Sequence, residues 1–205
     1  MILFPSLLTA TSYARGYGRL SAYRRSAGHS AQQPGTVGAA HDREGFALSQ
    51  LPSIVTKTGA FLGLKSVMVS VEPGLAGVCL ALSARGIELA LWEILENAIK
   101  FHPTQSPQVD VSASCNGASQ PCAKACLRIV DDGMTLSPGQ LAQVWMPYYQ
   151  AEKYHTGQVA GVGLGLSVAA SLVWGVGGTC RTYNREGRPG VIVELVLPAI
   201  MDASS

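Results

Sequence analysis

The chain has 205 residues and a formal net charge of +2, with 47% hydrophobic and only 14% charged side chains. That length suits one ordinary domain plus an appendage, and so much apolar side chain excludes disorder across the whole chain. A charge so close to neutral, without clustered Lys and Arg, gives no electrostatic footprint for nucleic acid, and no run approaches the about 20 apolar residues that span a bilayer.

The start, Met1 to Ala10, is apolar, yet no basic residue precedes the apolar run and Pro5 interrupts it, so it does not read as a signal peptide. Cys79, Cys115, Cys122, Cys126 and Cys180 are odd in number and lack the paired spacing of a metal site. They are expected to be reduced thiols in a cytoplasmic protein without membrane contact of its own.

Residues 1–45 are expected to be an N-terminal segment and flexible linker. Leu7 to Tyr23 reads as a short helix weakened by Gly16 and Gly18, a remnant of a helical dimerisation region, and 24–45 is rich in Gly, Ser, Ala and Gln. From Phe46 the pattern changes to apolar runs separated by turn residues, which sets a domain over 46–199 and a tail over 200–205. Within it the periodicity predicts a helix over 49–62 ending near Gly63, a strand at 67–71, a long helix at 84–101, and strands at 109–114 and 126–130. A short helix at 138–144, a glycine-rich loop, a helix at 164–174 and strands at 179–183 and 191–197 complete the order. A sheet covered on one face by helices accounts for that list, an α+β class.

Three clusters carry the chemistry. In the 84–101 helix, Glu93, Asn97 and Lys100 fall on one stripe at about 100° per residue, while Ile87, Leu91, Ile94, Leu95 and Ala98 fall on the other side. The apolar side can be buried while a carboxylate, an amide and an ammonium share one space, a grouping suited to a metal and phosphate. Mg²⁺ is a hard cation that takes oxygen ligands, which the Asn97 carbonyl can supply beside phosphate oxygens and water. Lys100 would neutralise phosphate charge, and Glu93 would orient a nucleophile or accept a proton. An exposed helix face with an incidental ion pair explains the same residues equally well.

In the second cluster, the apolar strand before Asp131-Asp132-Gly133 runs straight into two carboxylates and a glycine. A carboxylate there can accept a hydrogen bond from the exocyclic amine of adenine, and Gly133 lets the backbone turn close to the ring. A plain Asp-Asp-Gly turn is the ordinary alternative. The third is Gly157 to Leu166, with Gly161, Gly163 and Gly165 leading into an apolar helix. It can wrap phosphates with free N–H groups at the helix start, although it is neither a Walker A loop nor a dinucleotide fingerprint.

In this order the clusters resemble the N, G1 and G2 boxes of the ATP-binding fold shared by histidine kinases, DNA gyrase and mismatch-repair ATPases. Val144-Trp-Met-Pro-Tyr-Tyr-Gln150 is similar to the F box of the histidine kinase branch. The resemblance covers about residues 46–198 and implies a two-layer α/β sandwich of the Bergerat type, with a mixed sheet covered on one face by helices. It implies ATP and Mg²⁺ as cofactors. Asn97 would be the Mg²⁺ ligand, Glu93 the acidic residue one turn earlier and the catalytic one, Lys100 a phosphate contact and Phe101 a neighbour of the nucleotide. Asp131 would hold adenine beside Gly133. Gly161, Gly163 and Gly165 would form the phosphate-side loop, seated by Leu164 and Leu166, and Met146 to Ala160 would be the lid over ATP.

The implied activity is donation of the γ-phosphoryl group to a histidine on a dimerisation domain, in cis or in trans, with a response regulator downstream. The sequence departs from the family pattern in three places: Thr135 stands where G1 has its second glycine, Val191 stands where a threonine opens the last strand, and no H box is present. His29, His41, His102 and His155 are each expected to have surface or packing roles. The departures keep two other readings open: a nucleotide-binding signalling module without turnover, and a serine/threonine kinase or ATPase of the same superfamily.

Overall fold

The computed structural model describes residues 45–117, 122–147 and 165–200. In chain order these form β1 (Phe46–Ala47), a 3₁₀ turn (Leu48–Gln50), α1 (Leu51–Leu62), β2 (Ser66–Val71), β3 (Cys79–Leu80) and α2 (Ala84–Lys100). Then follow β4 (Gln108–Cys115), β5 (Lys124–Asp131), α3 (Pro138–Gln143), α4 (Gly165–Gly175), β6 (Thr179–Asn184) and β7 (Val191–Ile200).

The strands form one mixed sheet in the order β1-β3-β7-β5-β4-β2, with β6 also paired to β7. β2 and β4 run parallel, from Ser66 opposite Gln108 to Val71 opposite Ala113, and the other pairings are antiparallel. Along β7, residues 191–196 face β6, and Ala199 and Ile200 face β3. That second pairing carries β7 past the predicted end at 197. β1 and β3 are two residues each, too short for periodicity to reveal, and they exist through this pairing.

Alternation at period two buries Val109, Val111 and Ala113 of β4, Ala125, Leu127 and Ile129 of β5, and Val193, Leu195 and Leu197 of β7 on the helix-covered face. The helices meet that face with α2 packed against both α1 and α4. Trp92, only 2% exposed, lies on the α1 side with its ring centroid 5.3 Å from that of Phe61. Helix ends follow local chemistry. Ser83 caps α2 by accepting from the Gly86 N–H at 3.2 Å, Ser137 and Gln140 close a reciprocal capping box on α3, and Gly63 ends α1 at φ 78°. The 3₁₀ turn occupies the first positions of the expected 49–62 helix, with Pro52 opening the α-helix proper.

The expectation of reduced thiols throughout is corrected here, because Cys115 and Cys122 form a disulfide with Cα atoms 5.7 Å apart. The two residues close the far end of the β4–β5 hairpin, and only the antiparallel return of the chain brings them together. Cys79, Cys126 and Cys180 are free thiols. Burial raises the Cys126 thiol to about 11 and the Cys180 thiol to about 12, so both stay protonated at neutral pH. Among the described residues no helix is long and apolar enough to cross a membrane.

Candidate functional site

α2 presents its stripe as the periodicity predicts. Ile87, Leu91, Ile94, Leu95 and Ala98 are buried against the sheet and α4, while Glu93, Asn97 and Lys100 are half-buried at the margin. The helix ends where the Asn97 carbonyl accepts the Phe101 N–H at 3.0 Å. The Lys100 Nζ lies 5.1 Å from the centre of the Phe101 ring, a cation–π contact. Burial lowers the Lys100 pKa below its ordinary value, with the Glu96 carboxylate opposing the shift.

The G2-like stretch reaches this helix at Gly165. A Cβ at Gly165 would stand 2.5 Å from Glu93 Oε2 and 3.4 Å from Asn97 Nδ2. A side chain there would push the Glu93 carboxylate aside, so glycine lets the backbone approach the polar stripe with Glu93 in place. Leu166, half-buried, packs onto the core behind it. Gly161, Gly163, Leu164 and nearly all of the 146–160 lid lie outside the described residues.

The G1-like stretch lies just past the C-terminal end of α2. Asp131 ends β5, and its Oδ1 accepts the Gly133 N–H at 2.8 Å. Burial raises the Asp131 pKa. The Gly133 and Val191 backbone N–H groups oppose that shift, the neighbouring Asp132 charge adds to it, and Arg185 draws it down. The carboxylate is thus held in a largely dry site by two backbone donors. Gly133 is buried, with the space of its missing Cβ 3.7 Å from His102 Cα, so the end of β5 rests on the turn that follows α2. Gly165 and Gly133, from different stretches of chain, thus meet the last turns of α2 and the turn that follows it, which places Asn97 and Asp131 toward the same end of the helix.

The sequence did not mark several residues that shape the Asp131 end. Gly190, at φ 118°, lies over the Asp131 carbonyl so closely that any Cβ would overlap its oxygen. The Arg185 Nη1 donates to that same carbonyl at 3.1 Å, and its backbone N–H donates to the Gly190 carbonyl at 3.1 Å. Asn184 accepts the Leu136 N–H at 2.9 Å and donates to the Leu136 carbonyl at 2.7 Å, fixing the chain after Gly133 to β6. No local signal marked Arg185 and Asn184, because their partners are some fifty residues away.

A profile of the histidine kinase-, DNA gyrase B- and HSP90-like ATPase family matches residues 83–200, the span from α2 to the end of β7. Similar curated proteins include the autoinducer 2 sensor kinase/phosphatase LuxQ of Vibrio cholerae, 31% identical over 112 residues, and the aerobic respiration control sensor protein ArcB of Escherichia coli, 29% identical over 99 residues. The matched segments are 55% and 48% of this chain but only 13% of LuxQ and 12% of ArcB. Among solved structures, the mycobacterial sensor histidine kinase MprB aligns with a TM-score of 0.59 at 21% identity, covering 73% of this chain and 95% of that one. The histidine kinase domain of the E. coli osmosensor EnvZ aligns at 0.54 and 18% identity, covering 86% and 96%. The chain belongs to the family of histidine kinase-, DNA gyrase B- and HSP90-like ATPases, and its fold is that of the histidine kinase catalytic domains.

Proposed function

We propose that the chain is the ATP-binding catalytic part of a cytoplasmic two-component sensor histidine kinase, holding Mg-ATP and donating its γ-phosphoryl group to a histidine on a dimerisation domain, in cis or in trans. The observation that carries this reading is the approach of the Gly165 backbone, at the start of α4, to the Glu93 and Asn97 side chains, with the Asp131–Gly133 turn resting on the residue just after the same helix. Bare backbone next to an amide side chain and a carboxylate suits a ligand that brings its own oxygens and a hard cation.

On this reading Asp131, with Gly133 beside it, receives the adenine amine, Phe101 borders the base, and Lys100 meets phosphate. Gly161, Gly163, Leu164, Gly165 and Leu166 line the phosphate side. Asn97 would hold Mg²⁺ together with phosphate oxygens and water. Among the described residues no group of three or more His, Cys, Asp or Glu side chains could form a cage of its own. When bound, Mg²⁺ neutralises charge on the β- and γ-phosphates.

Glu93 stands one turn before Asn97, within reach of Gly165, where a carboxylate can orient an acceptor imidazole or take its proton. A response regulator would receive the phosphoryl group from the dimerisation domain. The test is incubation of the chain with radiolabelled Mg-ATP and an isolated histidine-bearing dimerisation domain. Acid-labile, base-stable label on that domain is the expected result. Nucleotide binding without label on the domain would favour a binding module, and label on serine or threonine would favour the other branch.

A further inference from the structure

The polar contacts around His102 have no place in the phosphate or adenine roles described above. The ring follows α2 directly and its side chain is only 12% exposed. Nδ1 accepts from the backbone N–H of Thr104 at 3.3 Å, from that of Ser106 at 3.3 Å and from the Thr104 hydroxyl at 3.1 Å. Backbone N–H groups can only meet a lone pair, so Nδ1 is the accepting nitrogen and Nε2 is left to face β5. Nε2 lies 3.4 Å from Asp132 Oδ1, and that same oxygen accepts the Gln108 N–H at 2.8 Å. The ring edge, at Cδ2, lies against Gly133.

We infer that His102 is a positioning residue that sets the distance between the two halves of the nucleotide pocket, an inference resting on the pocket reading above. Its δ nitrogen shapes the turn leaving α2, and its ε nitrogen ties that turn to the end of β5. The ring fixes the polar stripe of Asn97 and Lys100 relative to the carboxylate of Asp131. Neither half alone does this: the turn contacts are local to 102–106, and the Asp132 contact spans 30 residues of sequence.

The experiment is a double-mutant cycle read by calorimetric titration of the full chain with ADP. His102→Asn keeps a δ acceptor for the turn and removes only the reach to Asp132, which avoids the unfolding that His102→Ala risks. His102→Asn and Asp132→Ala should each weaken ADP about fivefold, the size of one lost polar contact between a ring nitrogen and a carboxylate. The double variant should be no weaker than the worse single variant within about twofold, because both act through one contact. Asp132→Asn, which retains the acceptor oxygen, should restore binding.

Additive effects in the cycle would overturn the inference, as would single variants that melt earlier but bind ADP like the wild type. Failure of the wild type itself to bind ADP would be a different result and would remove the nucleotide reading beneath it.

Discussion

The two ends of strand β5 follow the same alternation yet finish in opposite ways. At the hairpin end, Lys124 and Ala125 lead back to Cys122, which is bonded to Cys115, and the Cys115 N–H donates to Glu72 Oε2 at 2.8 Å. One of these links is covalent and the other ties β4 to the residue after its neighbour β2, and both hold the sheet together. At the other end the strand stops in Asp131, a carboxylate in a largely dry site, braced by neighbouring Gly133 and by Arg185, Gly190 and Val191 from a distant part of the chain. Burying a carboxylate opposes folding unless something else is gained by it. One end ties the sheet together and the other, on the proposed reading, holds a carboxylate for a ligand, a contrast that substitutions can sharpen or break.

The largest expected effect is at the pocket. Asn97→Ala should weaken Mg-ATP more than about 100-fold, since on the proposed reading it removes an oxygen ligand to Mg²⁺. The melting temperature should stay near the wild-type value, because Asn97 is half-buried and outside the apolar core. Calorimetric titration and thermal melting check the two halves of that statement.

At the hairpin end the expectation reverses. Replacing Cys115 and Cys122 together by Ser should lower stability by about 2 kcal/mol, from the entropy returned to a short closed loop in the unfolded chain, and leave ADP affinity unchanged. Denaturant titration reads the loss, and a change in ADP affinity would break the contrast.

The smallest effect has the most informative sign. Burial, the first cause, raises the folded-state pKa of Asp131 above its unfolded value, so ionisation of this group opposes folding as pH rises through that raised pKa. Asp131→Asn should therefore melt above the wild type at pH 8, with the gap closing as pH falls into the carboxylate range, while ADP binding weakens about tenfold. A melting temperature lowered at pH 8 would mean that the two backbone donors outweigh the cost of burial.

Legibility in the sequence followed the range of the interactions. The stripe of Glu93, Asn97 and Lys100 was readable because helical periodicity is local, and the buried rows of β4, β5 and β7 because strand alternation is too. Asp131 and Gly133 were readable as a strand running into a polar turn. β1 and β3 were not, being two residues each and dependent on β7 and each other. The Cys115–Cys122 bond was not, because spacing carries no information about the register of a hairpin. His102, Arg185 and Gly190 escaped for the same reason: each acts on a partner whose nearness is a product of the sheet topology.

The most direct measurement is a ¹H–¹⁵N spectrum of the chain titrated with a non-hydrolysable ATP analogue and Mg²⁺. Amides of Asn97, Gly133 and Gly165 should move together along one saturation curve while that of Cys115 stays still. Separate curves for these three positions, or movement at only one of them, would contradict a shared pocket.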